Sequence, residues 1–368
     1  MLQNMKKALK AVLVVLLVIV LIVGGYVAYM LLTYNRIPDN QQLEVGNNQA
    51  AELKTGEDYT ALSFNIGFGA YTDDYSFFMD TGKMADGTPT TGKNSWAVSK
   101  ESVEECTAAD IETIRDLDVD FALLQEVDTD STRSYHVNQV QLLEDAFSDM
   151  GGVEAVDYHS SFLFYPLTQP HGFANSSLLT LSSARVDDAV RRSYPVADDL
   201  SKFFDLDRCF SVSRIPVEGG KELVLVNSHM SAYDKGGTIR KQQLEMIHNF
   251  LNEEADKGNY VVMGGDFNHA LCDSTGIYPS TQQRPDWIAT FDDSDLPEGF
   301  SVVRASNLAD VATCRGADIP YEKGVNYTAT VDGFIVSSNV KATAENIDKE
   351  FKYSDHNPVK LTFSLSEE

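Results

Sequence analysis

The chain has 368 residues, an ordinary hydrophobic content of 43% and a formal net charge of −26 at pH 7. Four of the 29 basic residues lie at or before Arg36 and all 55 acidic residues lie after it, so the remainder carries a net charge of −30. A surface this acidic repels polyphosphate chains and argues against tight nonspecific binding of nucleic acid. It does not exclude a nuclease whose site is neutralised by cations.

The N-terminal segment from Ala11 to Leu32 has 22 residues, contains no charged residue and is rich in Val, Leu and Ile. As a helix it would be about 33 Å long, which is enough to cross a bilayer. A cleaved signal peptide is the alternative, but its apolar core would be shorter and a small-x-small site should follow. We predict a cytoplasmic tail over residues 1–10, a transmembrane anchor over 11–32 and a stalk over 33–57.

Basic residues flank this segment mainly on its N-terminal side, with Lys6, Lys7 and Lys10 before it and Arg36 after it. The positive-inside tendency then leaves the N-terminus in the cytoplasm. The chain is therefore predicted to cross the cell membrane once, with residues 36–368 extracytoplasmic. The four cysteines form no CxxC pair, so zinc-site spacing is absent. Such a location permits disulfides, and free buried thiols are equally compatible with the sequence.

Residues 58–368 alternate predicted strands and helices without an internal repeat. The predicted strands, in chain order, are 59–64, 120–126, 222–229, 261–263, 330–337 and 358–364. Helical periodicity covers residues 101–117 and 238–256. Residues 69–100 are rich in Gly, Thr, Asp and Ser and are predicted to be a long irregular insertion. Strands with mixed connections and long helices predict a single α/β or α+β domain.

Polar side chains recur where the predicted strands end, at Asn65, Glu126, His229 and Asp266. In open sheets this edge is where functional sites form. A carboxylate there is a good ligand for a hard cation, and a histidine suits proton transfer near neutral pH. Taken singly, each residue has an ordinary alternative as a solvated strand end, a turn residue or a structural histidine.

Asp266 and Asn268 follow the pair Gly264-Gly265 and can face the same side of an extended segment. An ionised aspartate can orient a water molecule or bind a metal. An asparagine can donate to a phosphate oxygen or stabilise a charged transition state. An Asx turn after the two glycines is the alternative for this pair.

A second polar cluster, Ser354-Asp355-His356-Asn357-Pro358, precedes the last predicted strand. Because neighbouring residues of a strand face opposite sides, Asp355 can bind a metal while a different acid orients His356. Asp332 is a candidate for that acid, since a carboxylate within an apolar strand needs a partner. An ordinary turn is again the alternative for the whole cluster.

Six segments, taken together and in this order, resemble the endonuclease/exonuclease/phosphatase (DNase I-like) superfamily of metal-dependent phosphoesterases. The segments are Ser-Phe-Asn65, Leu-Gln-Glu126-Val, Asn-Ser-His229, Gly-Gly-Asp266-Phe-Asn268, Val-Asp332-Gly-Phe-Ile-Val-Ser and Ser-Asp355-His356-Asn-Pro-Val. They span residues 58–364, nearly the whole outer domain. The Gly-Asp-x-Asn and Ser-Asp-His pair is specific for the superfamily but not for a substrate.

The resemblance implies a four-layer sandwich of two mixed β-sheets flanked by helices, over residues 58–368. It also implies a bound Mg²⁺ ion, with Mn²⁺ as the alternative. Glu126 would be the principal metal ligand, with Asn65 and Asp355 nearby.

Catalytic roles follow from the same resemblance. His356, oriented by Asp332, would act on the attacking water. Asp266 and Asn268 would position the nucleophile or stabilise the phosphoryl oxygens, and His229 would assist the leaving group. The DNase branch pairs that histidine with a glutamate, and the sequence does not identify such a residue here.

The predicted function is that of a membrane-anchored, extracytoplasmic, Mg²⁺-dependent phosphoesterase that hydrolyses a phosphodiester or phosphomonoester with an activated water. Arg133, Tyr135 and Arg208 are candidate substrate-binding residues, since an arginine can clamp a phosphate, with plain surface positions as the alternative. A lipid headgroup or a small organophosphate suits the acidic surface. No protein partner is implied.

Two alternatives to this function remain open. One is an extracellular nuclease acting on nucleic acid, although the basic loops of a duplex-binding enzyme are missing. The other is a catalytically inactive binding module. Within the phosphoesterase hypothesis, a sphingomyelinase-like contact with the membrane would need an exposed apolar hairpin. Only residues 71–78 offer one in the sequence.

Overall fold

The computed structural model describes residues 2–197, 207–232 and 238–366. Its helices are α1 (Leu2–Thr33), α2 (Lys100–Leu117), α3 (Gln139–Ala146) and α4 (Thr238–Asp256). Its strands are β1 (Gln41–Gln42), β2 (Val45–Gly46), β3 (Asp58–Asn65), β4 (Thr81–Lys83), β5 (Pro89–Thr91), β6 (Phe121–Asp128), β7 (Gly151–His159), β8 (Asn175–Ser182), β9 (Asp188–Ser193), β10 (Cys209–Pro216), β11 (Glu222–His229), β12 (Tyr260–Asp266), β13 (His269–Leu271), β14 (Ala289–Phe291), β15 (Phe300–Val302), β16 (Cys314–Arg315), β17 (Thr328–Ala329), β18 (Asp332–Ser337), β19 (Val340–Asn346) and β20 (Val359–Leu365).

Two seven-stranded mixed sheets dominate the fold. The first sheet has the order β1-β9-β10-β11-β12-β18-β15 and the second the order β19-β20-β3-β6-β8-β7-β2. Each sheet has one parallel pair at its centre, β11 with β12 and β3 with β6, and antiparallel strands outside it. The carboxyl ends of four central strands are therefore available to build a site.

The sheets pack face to face and carry helices on their outer faces. The core between them contains residues of both sheets, such as Leu123, Leu225 and Val262. A second core lies between the first sheet and α4, and a third between the second sheet and the pair α2 and α3. The order is helix, sheet, sheet, helix, which confirms the predicted four-layer α/β sandwich.

The periodicity of the sequence locates the central elements well. The predicted strand 222–229 and the predicted helix 238–256 match β11 and α4 residue for residue. The other predicted elements shift by one to three residues at their ends. The strands β7 to β10 and β19 have no counterpart among the predicted strands, although β19 and part of β10 alternate apolar and polar residues.

The segment predicted as a stalk, residues 33–57, is partly built into the domain. β1 pairs with β9 at the edge of the first sheet, and β2 pairs with β7 at the edge of the second. Leu53 is buried in the core between the sheets, and Leu43 and Val45 pack against that core. Three spaced apolar side chains therefore fasten a segment whose polar composition predicts a free linker.

The apolar helix begins earlier than the predicted anchor, because α1 includes residues 2–10 as well as 11–32. Its residues Gln3–Thr33 are long and apolar enough to cross a membrane, a test that a signal sequence also meets. The insertion over residues 69–100 contains the small β4–β5 hairpin. Tyr71 and Tyr75 within it are buried, so residues 71–78 do not form an exposed apolar hairpin. The four cysteines are free thiols.

Candidate active site

Six polar residues from both sheets meet at one edge of the sandwich. Asn65 ends β3, and Glu126 lies two residues before the end of its parallel partner β6. His229 and Asp266 end the parallel pair β11 and β12. Asp332 begins the antiparallel β18 directly opposite Asp266. His356 lies just before β20, which runs antiparallel to β3. Strand direction thus brings these strand ends to the same edge of the sandwich.

The Oδ2 atom of Asp266 lies at the centre of this group. It accepts a hydrogen bond from Asn65 Nδ2 at 3.0 Å. The Nε2 atoms of two histidines face it, His229 at 3.4 Å and His356 at 3.7 Å. Burial opposes ionisation, but the two imidazoles and the backbone N–H of Asn268 lower the pKa of Asp266 below its usual range. Asp266 is therefore a buried carboxylate kept ionised between two imidazoles.

His356 is oriented by Asp332, as the sequence analysis proposes. His356 Nδ1 lies 2.8 Å from Asp332 Oδ2, and both residues are buried. The backbone N–H of His356 donates to Ser354 Oγ. Burial disfavours the charged imidazole, but the nearby carboxylates, Asp332 above all, outweigh it and raise the pKa of His356 well above its usual value. The pair can therefore hold a proton at His356 Nε2, beside Asp266.

His229 has its own acid, Asp157, which no motif in the sequence identifies. Asp157 Oδ2 lies 3.1 Å from His229 Nδ1 and accepts a hydrogen bond from Arg208 Nη1 at 2.6 Å. Burial opposes ionisation, but Arg208 and His229 lower the pKa of Asp157 to about 2. Burial and Arg208 disfavour the charged imidazole, yet Asp157 and Asp266 raise the pKa of His229. Within the described residues, His229 Nε2 has no hydrogen-bond partner.

An irregularity in β7 places Asp157. The pairing of β7 with β8 shifts register between Val156 and Tyr158, so Asp157 is an extra residue on its strand. A bulge re-aims a side chain that regular alternation would point elsewhere. An aspartate is also one carbon shorter than the glutamate that the resemblance implies, and no motif surrounds it. The sequence therefore carries no signal that identifies Asp157 as the partner of His229.

Glu126 is placed by a second bulge. The pairing of β6 with β8 shifts register between Leu124 and Val127, and Glu126 has the unusual φ of 53° for a residue with a side chain. Its Oε1 lies 3.4 Å from Asn65 Nδ2 and 3.9 Å from His229 Nε2. Glu126 is only half-buried, so its carboxylate opens toward solvent.

The two predicted asparagines are held by specific hydrogen bonds. Asn65 Oδ1 accepts from the backbone N–H of Gly67, so its amide nitrogen faces the carboxylates of Glu126 and Asp266. In this arrangement Asn65 orients the carboxylates as a donor. Asn268 Nδ2 donates to the backbone carbonyl of Met230 at 2.8 Å. Asn268 is thereby fixed beside Asp266, whose Oδ1 accepts from the Asn268 backbone.

The two glycines before Asp266 are required by close packing. A Cβ atom on Gly265 would lie 2.0 Å from the backbone oxygen of Ser228 on the neighbouring strand. A Cβ on Gly264 would lie 2.8 Å from Leu123 of the opposite sheet. A side chain at position 265 would collide with the neighbouring strand of the same sheet, whereas Gly264 lets the two sheets approach closely next to the site.

The sequence profile described as "Endonuclease/Exonuclease/phosphatase family" matches residues 62–356, which include the six meeting residues named above. The chain belongs to this family. Its members are metal-dependent phosphoric ester hydrolases, and the chain is accordingly one of them. A search of curated protein sequences finds no match to the chain.

Solved structures of the endonuclease/exonuclease/phosphatase family share this fold at low sequence identity. A family protein from Beutenbergia cavernae is 15% identical with a TM-score of 0.53, over 84% of this chain and 72% of that one. ANGEL2, described as a 2′,3′-cyclic phosphatase, is 15% identical with a TM-score of 0.52, over 90% and 100% of the two chains. TDP2 from C. elegans is 15% identical with a TM-score of 0.50, over 84% and 76%.

The donor set suits the metal that this family uses. Burial, together with the neighbouring carboxylate of Glu126, raises the pKa of Asp355 to about 7. The carboxylates of Glu126 and Asp355 therefore repel one another, and a cation with a preference for oxygen ligands would relieve that repulsion. A second group, Asp266, Asp332 and His356, also offers ligand atoms within 4.8 Å of one another. That group includes a histidine nitrogen, whereas Glu126 and Asp355 offer carboxylate oxygens alone, which is the ligand type that Mg²⁺ prefers.

Two of the three candidate substrate residues of this family member are used structurally. Arg133 is buried, donates from two nitrogens to Asp128 and lies 3.7 Å over the ring of Phe68, so the predicted phosphate clamp is not formed. Asp128, two residues after Glu126, instead forms a buried ion pair with Arg133. The hydroxyl of Tyr135 donates to the backbone carbonyl of Val98.

Arg208, the third candidate, does reach the site, but on the far side of His229. Its Nη1 contacts Asp157 and His229 Nδ1. It orients those two side chains and is not positioned to bind substrate.

Proposed function

We propose that this chain is a membrane-anchored, extracytoplasmic, Mg²⁺-dependent phosphoesterase that hydrolyses a phosphodiester or phosphomonoester with an activated water. One observation carries the proposal. Two imidazole Nε2 atoms, each backed by a buried aspartate, point at the same carboxylate oxygen of Asp266. That arrangement supports a site in which two imidazoles flank an ionised carboxylate beside a bound phosphoryl group.

The proposed roles follow from the protonation that the surroundings favour. Ionised Asp266 orients the attacking water and accepts its proton. The family resemblance assigns His356 to the attacking water. Because Asp332 keeps its imidazole charged, we propose instead that His356 donates to a phosphoryl oxygen and stabilises the developing charge. His229, with a free Nε2 and a raised pKa, donates a proton to the leaving oxygen.

Glu126 and Asp355 would hold the metal, with Asn65 orienting the carboxylate of Glu126. Bound Mg²⁺ supplies Lewis-acid stabilisation of the phosphoryl oxygens. Mn²⁺ has the same preference for oxygen ligands and is the alternative ion.

The membrane location rests on α1 and on the distribution of charge around it. Gln3–Thr33 is long and apolar enough to span a bilayer. Lys6, Lys7 and Lys10 lie on its N-terminal side, which favours a cytoplasmic N-terminus. The acidic outer domain favours small organophosphates or lipid headgroups over nucleic acid, because a net charge of −30 repels a polyphosphate. This weighs against the nuclease alternative, and the complete residue set weighs against an inactive binding module.

The test uses the purified full-length chain in detergent with bis(p-nitrophenyl) phosphate and p-nitrophenyl phosphate. Turnover should require Mg²⁺ or Mn²⁺ and stop with EDTA. His356→Ala should lower kcat at least about 10²-fold. His248→Ala, at a half-buried position on α4 away from the site, is the matched control and should be unchanged. Absence of turnover with every substrate and metal, or a His356→Ala rate equal to wild type, would refute the proposal. Protease treatment of intact cells tests the topology, since the domain should be cleaved from outside.

A further inference from the structure

An apolar loop between β7 and β8, residues 161–173, projects from the sandwich; we refer to it as the aromatic loop. It contains no Asp, Glu, Lys or Arg. Four of its apolar side chains are exposed: Phe164 at 51%, Tyr165 at 71%, Leu167 at 85% and Phe173 at 47%. An exposed apolar cluster of this size marks a contact surface.

The aromatic loop has a defined conformation. Leu163 and Gly172 exchange two backbone hydrogen bonds of 3.0 Å across it. Trp96 Nε1 donates to the carbonyl of Pro170, and Ser95 Oγ donates to that of Gln169. The large exposed side chains are therefore presented on a closed and anchored frame.

The aromatic loop docks against the C-terminal end of α1. The hydroxyl of Tyr26 donates to the backbone carbonyl of Phe162, and the backbone N–H of Phe162 donates to the hydroxyl of Tyr29. The ring of Tyr26 packs edge-on against Phe164 with centroids 5.2 Å apart. The helix proposed to cross the membrane and the exposed apolar loop are therefore neighbours.

The geometry sets the depth of the aromatic loop relative to the bilayer. Tyr26 precedes Leu32, the last apolar residue of the anchor, by about 9 Å of helix axis. Segments that lie in the membrane interface bury their apolar side chains about 5–10 Å into the boundary between headgroups and acyl chains. Tyrosine is also enriched at that level of transmembrane helices. A loop held at the level of Tyr26 therefore reaches the interface.

We propose that the aromatic loop inserts into the outer-leaflet interface of the same bilayer that holds α1, and that the site acts on the phosphoester headgroup of a lipid in it. This rests on the proposed membrane-anchored function. The uncharged loop and the chain's net charge of −26 fit a zwitterionic surface, since an anionic one would attract basic residues and repel this domain.

Ring contacts connect the aromatic loop to the proposed metal position. Tyr165 contacts Phe78 at 5.9 Å, Phe78 contacts Phe77 at 5.0 Å, and Phe77 contacts Tyr71 at 6.4 Å between centroids. Tyr71 in turn lies beside Asp355, because both would crowd a Cβ placed on Gly67. A continuous row of aromatic side chains therefore joins the aromatic loop to the proposed metal position.

The insertion test uses the full-length chain reconstituted in phosphatidylcholine vesicles. An environment-sensitive fluorophore is attached to Leu167→Cys, in a Cys272→Ser background because the other three native thiols are buried. Lipids with a quencher at the headgroup boundary should quench it strongly. The same probe on Ile277→Cys, a 42% exposed apolar position outside the loop, should stay unquenched. Equal quenching at the two positions would overturn insertion of the loop. Failure of the chain to incorporate into vesicles would overturn both the anchoring and this inference.

The activity test compares lipid and soluble substrates. Phe164→Ser/Leu167→Ser should lower hydrolysis of phosphatidylcholine in vesicles by about tenfold or more and leave bis(p-nitrophenyl) phosphate unchanged. Ile277→Ser should alter neither rate. Wild-type turnover of the soluble ester without any of the vesicle lipid would overturn the lipid assignment while the proposed function stands. Wild-type inactivity on both would overturn the phosphoesterase function, and with it the lipid assignment, while the quenching test still decides insertion.

Discussion

Replacing Asp157 with Asn removes a negative charge from the buried side of His229 with almost no change in side-chain size. Asp157 Oδ2 lies 3.1 Å from His229 Nδ1, and the carboxylate is 1% exposed. At an effective dielectric constant of about 20, opposite charges at that separation attract by about 5 kcal/mol. Arg208 lies 2.7 Å from the same ring nitrogen and would be left to oppose the imidazolium. The pKa of His229 should therefore fall in the variant.

The effect on rate should depend on the leaving group. If His229 protonates the leaving oxygen, Asp157→Asn should lower kcat about 10²-fold for esters with an alkoxide leaving group, equivalent to about 2.7 kcal/mol. A nitrophenolate leaves without protonation, so its ester should be hydrolysed within about threefold of the wild-type rate. Steady-state rates on an alkyl and a nitrophenyl ester measure this difference.

Asp157→Asn should also change the pH dependence of activity. A general acid must be protonated, so activity on the alkyl ester is lost as pH rises through the pKa of His229. Because Asp157 raises that pKa, its removal should move the loss to lower pH. Asp145→Asn, on the exposed end of α3, is the matched control and should change neither rate nor profile. Equal losses on both esters, or no loss on either, would show that Asp157 does not act through leaving-group protonation.

Three further predictions test the packing around the site and away from it. Arg133→Met should lower the free energy of unfolding by about 3–5 kcal/mol, because it leaves the buried carboxylate of Asp128 without its partner, and it should leave KM unchanged. A raised KM at unchanged stability would instead support binding of a substrate phosphate by Arg133. Gly265→Ala should lower the melting temperature and activity, with a cost of about 1–3 kcal/mol or more, since its Cβ meets the backbone oxygen of Ser228; a wild-type melting curve would contradict this. Burial opposes ionisation, but Arg214 and other donors lower the pKa of Glu254 to about 2, so Glu254→Gln should cost about 1–2 kcal/mol at pH 7 in urea unfolding. That difference should shrink as pH falls from about 4.5 to 2, where the carboxyl becomes neutral, and a constant difference would refute the assignment.

The central part of the fold was predictable because its strands are apolar throughout and end in polar residues. β11 and β12 are buried on both faces, so their sequences are continuous runs of Val, Leu and Met that end at His229 and Asp266. Once two parallel pairs are placed, strand direction brings those ends to one edge. The pairing of His356 with Asp332 followed from the alternation of side chains along a strand. The roles of these residues in catalysis remain predictions.

The peripheral structure and the fate of the arginines were not predictable. β1 and β2 are two residues long, and their pairing depends on edges that exist only in the folded sheets. Arg133 and Arg208 carry the same local signal, a single arginine near a strand end. One pairs with Asp128 and the other with Asp157, and the choice depends on which carboxylate the fold brings within reach. Arg208 and Asp157 are 51 residues apart, and a long-range partner of this kind leaves no trace in the spacing of the sequence.

The bulges in the two neighbours of strand β8 explain why regular strand alternation locates some residues of the site but not others. The register shift of β6 lies opposite Leu178, and that of β7 lies between the partners Ser177 and Ser176. One regular strand thus has an irregular neighbour on each side, and each irregularity turns one carboxylate, Glu126 or Asp157, toward His229. An alternating pattern predicts which way a side chain points only while the register holds. Two acids of this site, Glu126 and Asp157, are placed where the register does not hold. Insertions or deletions that straighten either bulge should therefore separate Glu126 or Asp157 from His229 without disturbing the core.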